Sequence, residues 1–167
     1  NNLGGGTIGA VITDDNNSLY IGTSDRTTYT DYVATTALYN VGIGIGSLHA
    51  NTTGMGNSAI GYQSLYNNTE GGSNTAIGYR SLITNEEGNN NTAIGYQSLY
   101  NNTGDNNTAI GYESLYNNDA DNNTAIGYRS LRTNTSGTTN TAIGYESLYN
   151  NDEGSSNTAI GYESLYN

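Results

Sequence analysis

The chain has 167 residues, with fifteen acids, four arginines, no lysine and one histidine, which gives a formal charge of −11. A field of that sign repels phosphate backbones and anionic lipid headgroups, so we expect binding to neither nucleic acid nor membrane surfaces. No apolar stretch approaches the roughly 20 residues that cross a bilayer, so we expect no membrane insertion, and without cysteine no disulfide framework can form. Because the sequence begins with Asn1 rather than methionine, we interpret it as a processed, recombinant or fragmentary product from which any signal peptide has been removed.

Residues 1–40 form an N-terminal segment that lacks the regular repeat of the rest of the chain. The stretch GGGTIGAVITDDNNSLYIGTS predicts a strand, a polar turn at Asp14–Asn17 and a second strand. Ile8-Gly9 and Ile21-Gly22 resemble degenerate copies of a motif that recurs downstream, and Thr27–Asn40 is rich enough in Tyr, Thr and Val to be extended. Two interpretations stay open: the segment is a simple cap, or it is a docking arm that adds strands to a neighbouring copy.

Residues 41–167 repeat the consensus N-T-A-I-G-Y-x-S-L-Y-N-N in eight units. The isoleucines of successive units are 17, 17, 17, 16, 16, 17 and 17 residues apart, and a leucine follows each of them by five residues. A period of 16–17 is too short for a helix pair or a propeller blade, but it suits one coil of a β-solenoid. We therefore predict a core ladder of isoleucines and leucines, namely Ile43, Ile60, Ile77, Ile94, Ile110, Ile126, Ile143, Ile160, Leu48, Leu65, Leu82, Leu99, Leu115, Leu131, Leu148 and Leu165.

The repeat predicts strands and turns, because Ile, Tyr and Thr favour pleated surfaces while Asn and Gly cluster between units. Within the strand, Ile, Tyr and Ser share one parity and should face inward or towards a partner chain. The variable residue between Tyr and Ser should face water, and Leu should return to the core beyond a bend. The inward tyrosine column would comprise Tyr62, Tyr79, Tyr96, Tyr112, Tyr128, Tyr145 and Tyr162.

The predicted fold is all-β: a parallel β-solenoid, or β-roll, of 16–17-residue rungs preceded by a non-repeat β segment. Each rung would hold two short strands and two turns. Stacking would place identical side chains about 4.8 Å apart and so produce ladders of Ile, Leu, Tyr and Asn.

A second tyrosine column follows the leucines, at Tyr66, Tyr100, Tyr116, Tyr149 and Tyr166, and is interrupted by Ile83 and Arg132. Repeated aromatic side chains could dock glycans or neighbouring filaments. The interruptions favour lateral packing instead.

The last unit, Asn157–Asn167, is a near-perfect copy of the repeat, so we expect its open sheet edge to invite further strands. Either the chain was cut at this point or another molecule covers it. For head-to-tail association we predict subunit contacts at Ile8, Val11, Ile12, Leu19, Tyr20, Ile21, Ile160, Tyr162, Leu165 and Tyr166.

The sequence predicts no catalytic residue and no enzyme. His49 is the only imidazole, and it occupies the slot in which other units carry Tyr, Ile or Arg, so we interpret it as a variable surface residue. We expect no cofactor. Oxygen-rich turns such as NNDADNN could supply ligands for Ca²⁺, but no EF-hand pattern occurs, and solvated turns are the simpler interpretation.

The repeats resemble the YadA-like head repeats of trimeric autotransporter adhesins and similar NTAIGYxSL repeats of phage and viral tail fibres. The resemblance covers Val41–Asn167 and rests on Ala-Ile-Gly in seven of the eight units together with the Ser-Leu pair. It implies a left-handed parallel β-roll that is typically homotrimeric and belongs to an extracellular or virion-exposed fibre.

We therefore expect a structural, self-assembling subunit of an extracellular filament, joined head to tail by its N-terminal segment. The first alternative is a fragment of a trimeric adhesin or tail fibre that spaces or presents a receptor-binding tip, with a cell-surface receptor or glycan as partner. The second is an ice-binding protein, because Thr75, Thr92, Thr108, Thr124, Thr141 and Thr158 form a column, although no Thr-x-Thr pair recurs.

Overall fold

A computed structural model describes residues 12–13, 18–21 and 37–166 of the chain, and these residues form thirteen β-strands and no helix. None of them forms a helix long and apolar enough to cross a membrane. The strands are β1 (Ile12–Thr13), β2 (Leu19–Ile21), β3 (Val41–Ile43), β4 (Ser58–Ile60), β5 (Thr75–Ile77), β6 (Thr92–Ile94), β7 (Asn101–Asn102), β8 (Thr108–Ile110), β9 (Asn117–Asn118), β10 (Thr124–Ile126), β11 (Thr133–Asn134), β12 (Thr141–Ile143) and β13 (Thr158–Ile160).

The strands stack into a parallel β-solenoid, which confirms the predicted fold class. One sheet has the order β1-β2-β3-β4-β5-β6-β8-β10-β12-β13, and each repeat contributes one three-residue strand to it. Equivalent residues pair with each other, as in Thr124↔Thr141 and Ile126↔Ile143. The predicted second strand occurs in only part of the repeats, where β7, β9 and β11 form a small parallel sheet.

The N-terminal segment extends the solenoid by one irregular rung. β2 pairs in parallel with β3, and Ile21 lies opposite Ile43, so the prediction that Ile21 marks a degenerate rung is confirmed. β1 pairs antiparallel with β2, as expected for a strand, turn and strand. Tyr20 occupies the slot that holds alanine in later rungs and packs against the end of the core. Ile8-Gly9 and residues 27–36 lie outside the described residues.

The core consists of alanines and leucines, and the prediction that the isoleucines line it is wrong. The leucines of the first seven repeats are at most 4% exposed, and only Leu165 in the last rung is open. Opposite them lies a column of fully buried alanines, Ala59, Ala76, Ala93, Ala109, Ala125, Ala142 and Ala159. The isoleucines lie on the outer face, where Ile60 is 38% exposed and Ile43, Ile94 and Ile143 are half-buried.

The isoleucine side chains point outward rather than inward because the alternation of a strand extends over only three residues of each rung. In Thr-Ala-Ile the middle residue points inward, so alanine enters the core and Thr and Ile point outward. The following glycine has φ between 125° and 136°. From the second repeat onwards, the variable residue and the leucine both lie in the left-handed region, with φ between 47° and 54°. A left-handed leucine costs about 1–2 kcal/mol. Burying its side chain stabilises by about 1.5–3 kcal/mol, which offsets that strain.

A first column of asparagines, buried except for the partly exposed last one, precedes the strands, at Asn40, Asn57, Asn74, Asn91, Asn107, Asn123, Asn140 and Asn157. From Asn40 to Asn140, each Oδ1 accepts a hydrogen bond from the backbone N–H of the asparagine in the next rung, at 2.8–2.9 Å. In the same seven residues, each Nδ2 donates to a carbonyl in the turn that ends its own rung, at 2.7–2.9 Å. These side-chain hydrogen bonds therefore connect consecutive rungs, as the backbone hydrogen bonds of the sheet do.

A second column of asparagines follows the leucines, at Asn51, Asn68, Asn85, Asn102, Asn118, Asn134 and Asn151. From Asn68 onwards, each Nδ2 donates to the Oδ1 of the preceding rung, at 2.7–3.1 Å. Each also donates to the same turn carbonyl that the first column uses, at 2.6–3.0 Å. The asparagine ladder predicted from stacking is thus a pair of ladders that meet at one acceptor.

The glycine after each isoleucine offers a test of rung stacking. A Cβ on Gly95 would stand 2.8 Å from the carbonyl carbon of Gly111, whereas a Cβ on Gly161, which has a similar φ, would meet nothing within 4 Å. Gly161→Ala should therefore carry only the backbone strain, about 1–3 kcal/mol. Gly95→Ala should add a steric penalty of about 1–3 kcal/mol, because the opposing atoms are backbone. Urea unfolding followed by circular dichroism measures both variants, and equal losses would contradict the stacking geometry.

Candidate interaction surface

The outer face of the solenoid presents adjacent columns of isoleucine and tyrosine. Ile77, Ile110 and Ile126 are each 36% exposed, and the tyrosines from Tyr62 to Tyr145 that belong to this face are half-buried or about 40% exposed. One glycine separates the two columns in each rung, and we refer to them together as the apolar stripe. Large exposed apolar patches are typical of interaction sites in soluble proteins.

The tyrosine column lies on this surface rather than inside the coil, so the inward orientation is wrong, and the alternative orientation towards a partner chain stays a prediction. Its rings stack on each other from Tyr62 to Tyr162, with centroids 4.9–5.3 Å apart and interplanar angles of 5–13°. Each tyrosine lies between a glycine and a variable residue that both have positive φ. The backbone is therefore not extended at the tyrosine, and the alternation of side chains along a strand does not predict its direction. The rings therefore bury their faces against each other and leave their edges in solvent.

The second tyrosine column is stacked in two separate pairs. Tyr100 stacks on Tyr116, and Tyr149 stacks on Tyr166. Between the pairs, the Arg132 guanidinium lies 4.9 Å from the Tyr116 ring centroid and 5.9 Å from that of Tyr149. Arg132 interrupts the tyrosine column in sequence, but its guanidinium connects the two pairs through cation–π contacts. Ile83, the other residue that interrupts this column, is 8% exposed, so its side chain is buried.

His49 lies at the start of this second column. It is exposed and stacks on Tyr66 at 4.6 Å. This placement agrees with its interpretation as a surface residue in the variable slot.

The variable residues form a partly buried column of polar contacts, although the sequence pattern placed them in water. Arg80 Nε donates to Gln63 Oε1 in the preceding rung at 2.9 Å. Glu113 is only 7% exposed, and its Oε2 accepts from Nε of both Arg129 and Arg132 at 3.0 Å. The sequence could have indicated this cluster, because Glu113 and Arg129 carry opposite charges in the variable slot of adjacent rungs.

The two guanidinium groups control the ionisation of Glu113. Desolvation of the carboxyl acts to raise its pKa. The hydrogen bond from Arg132 and the charge of Arg129 outweigh desolvation, so the pKa of Glu113 lies below its usual value. A charged carboxylate is therefore stable at this buried position.

The last described rung is uncovered on the side away from the rest of the solenoid. Ile160, Tyr162 and Leu165 are 66%, 72% and 53% exposed, and Tyr166 is 37% exposed. Among the other predicted subunit contacts, Leu19, Tyr20 and Ile21 form β2 at the opposite end of the sheet, and Ile12 lies in β1. Ile8 and Val11 lie outside the described residues.

The acidic turns form a further side-chain ladder. The Asp121 carboxylate accepts the Asp105 N–H at 2.8 Å, and the Asp105 carboxylate accepts the Asn89 N–H at 2.6 Å. These carboxylates thus bond to the backbone of the neighbouring rung. In the part of the chain that the structure describes, no three His, Asp or Glu side chains are grouped closely enough to hold a metal ion.

Comparisons with known proteins gave no match to any family model, curated protein or solved structure. The resemblance to adhesin heads and tail fibres therefore stays a prediction from the repeat motif.

The Glu113 cluster should make stability depend on pH. Because its pKa is lowered from the usual 4.5, the stabilisation is fully present above pH 4.5 and is lost as the pH falls through the folded-state pKa. At pH 7, Glu113→Gln should cost about 1–2 kcal/mol, since both arginines are partly exposed. The difference in the free energy of unfolding between wild type and Glu113→Gln, measured by urea unfolding, should shrink as the pH is lowered from 7 to 3. Glu163→Gln, in the exposed last rung, is the matched control and should have little effect; a Glu113→Gln loss that does not change with pH would contradict the assignment.

Proposed function

We propose that this chain is a structural subunit of an extracellular or virion-surface fibre and that copies join end to end. Its role is mechanical rather than enzymatic. The observation that supports this proposal is the uncovered last rung, in which Leu165 is 53% exposed although the seven equivalent leucines are nearly inaccessible. Another rung of the same kind would bury it.

The hydrogen-bonding groups of that rung match those of a following rung. In the rung before the last one, Thr141 N–H donates to the Asn157 carbonyl, and Leu148 N–H donates to the Ser164 carbonyl. Thr158 and Leu165 hold the equivalent positions in the last rung. A covering rung, whether from a second copy or from more of the same chain, would accept these hydrogen bonds and continue the sheet.

The N-terminal end supplies the complementary sheet edge. β2 already pairs in register with a regular rung, and β1 is the outermost strand on that side of the sheet. In a head-to-tail contact, this segment would lie against the last rung of the next copy. Such a contact does not close on itself and therefore builds an open filament.

The exposed stripe of isoleucine and tyrosine favours a second candidate, in which copies associate side by side. This arrangement would suit a trimeric adhesin or tail fibre that spaces or presents a receptor-binding tip. Lateral contact would remove the outer edges of the tyrosines and the isoleucines from water, which stabilises by about 25 cal/mol per Å² of apolar surface. A cell-surface receptor or glycan would then be the external partner.

Electron microscopy of the purified chain in a dilution series tests both candidates. Leu165→Glu places a charge in the end surface, and Ile110→Lys places one in the side stripe, while circular dichroism checks that each variant is folded. End-to-end assembly predicts filaments of constant width that Leu165→Glu shortens to discrete rods and Ile110→Lys leaves long. Side-by-side assembly predicts rods whose mass by light scattering corresponds to several chains, and Ile110→Lys reduces that mass to one.

Discrete rods with the mass of one chain at every concentration, for all three proteins, would contradict both candidates. Filaments that Leu165→Glu leaves intact would contradict the end-to-end contact specifically.

A further inference from the structure

We propose that the tyrosine column on the outer face is a site of oxidative cross-linking, at which phenols of adjacent rungs couple to dityrosine. The co-reactant would be a one-electron oxidant, such as a peroxidase with hydrogen peroxide. Coupling within one chain does not depend on the proposed assembly function.

The column holds its phenols as a continuous series of neighbours. Six consecutive ring pairs join Tyr62 to Tyr162, and none of their centroids is more than 5.3 Å apart. A radical formed on an inner ring therefore has a second phenol on each side. The solenoid fixes this arrangement, so the partners need not diffuse together.

The rings are also accessible to an external oxidant. Tyr79, Tyr96 and Tyr112 are 39–42% exposed, and Tyr162 in the last rung is 72% exposed. Because the rings stack through their faces, the exposed area of each side chain lies mainly at the ring edges. An oxidant can therefore reach each phenol without unfolding a rung.

Two phenols of the column have a carboxylate beside them that can accept the proton lost on oxidation. Glu113 directly follows Tyr112, and desolvation together with this neighbouring carboxylate raises the pKa of the phenol. Glu163 directly follows Tyr162, and this carboxylate likewise raises the pKa of the Tyr162 phenol. These phenols stay protonated at neutral pH, so each loses its proton only as it loses an electron.

The coupling step balances in atoms and electrons. Each of two neighbouring phenols loses one electron and one proton, which gives two phenoxyl radicals. A carbon–carbon bond then forms between carbons ortho to the oxygens, and the two ring hydrogens at these carbons move to the oxygens to restore both phenols. Hydrogen peroxide takes up the two electrons and two protons and leaves as two water molecules, so the chain loses two hydrogen atoms for each link.

The other tyrosines of the described chain provide an internal contrast. The second column offers only the pairs Tyr100–Tyr116 and Tyr149–Tyr166, because Arg132 separates them. Tyr66 stacks on His49 rather than on a phenol. Cross-links should therefore concentrate in the outer-face column.

Two triple variants separate ordered coupling from general tyrosine oxidation. Tyr79→Phe, Tyr112→Phe and Tyr145→Phe together keep the aromatic stack but leave no adjacent phenols in the column. The matched triple, Tyr39→Phe, Tyr62→Phe and Tyr66→Phe, removes as many phenols yet leaves six consecutive ones, which can still form three links.

Each protein is treated with peroxidase and hydrogen peroxide at a concentration at which light scattering shows single chains. Dityrosine fluorescence and mass spectrometry after digestion at Asp, Glu and Arg then report the links, since only Arg129 and Arg132 offer cleavage between Tyr128 and Tyr145. We expect wild type and the matched triple to give equal yields of peptides that link neighbours in the column, with a loss of two hydrogens for each link. The alternating triple should lose all of these peptides and more than half of the intramolecular dityrosine.

Equal yields from the two triple variants would overturn the proposal. So would linked peptides in wild type that pair tyrosines without regard to their order in the column. Circular dichroism of both variants shows that any loss reflects the phenols and not the fold.

Discussion

The structure depends on turn carbonyls that each accept two asparagine amides. In a representative rung, the carbonyl of Gly88 receives Nδ2 of Asn74 and Nδ2 of Asn85, at 2.8 and 2.9 Å. The remaining groups of these two side chains bond to the neighbouring rungs. Burying an amide without partners would cost several kcal/mol, so the two columns hold their positions only when the rungs above and below are present.

This mutual dependence explains why the chain uses so little apolar material. The interior holds one column each of alanine and leucine, and the rest of its width is filled by serine and asparagine. Backbone and side-chain hydrogen bonds between rungs supply the order that a larger core would otherwise give. Stability is then a sum over neighbouring rungs, and a rung at an open end lacks half of its contacts. The larger isoleucine and tyrosine side chains remain outside, where they can serve association and chemistry.

The repeat spacing predicted the architecture well because the register of a solenoid is set by sequence period alone. Ile21 was recognisable as an irregular rung, and the leucines were correctly placed in the core. The orientation of Ile and Tyr could not be read from alternation, since the strand ends at the isoleucine and left-handed residues follow. The Glu113 cluster required knowing which slots of adjacent rungs face each other. The repeat alignment distinguishes Asn91, whose slot holds asparagine in all eight units, from Asn90, whose slot varies, but the burial of Asn91 and the exposure of Asn90 are set by the backbone conformation.

Hydrogen exchange of the asparagine side-chain amides, followed by nuclear magnetic resonance, tests this account most directly. Both Nδ2 hydrogens of Asn85 are bonded, one to Asn68 Oδ1 and one to the Gly88 carbonyl, whereas the Asn90 side chain is exposed. We predict that the Asn85 amide exchanges as slowly as the backbone amides of the central strands and that the Asn90 amide exchanges at the rate of a free amide. Equal, fast exchange of the two amides would show that the paired ladders do not hold the rungs together.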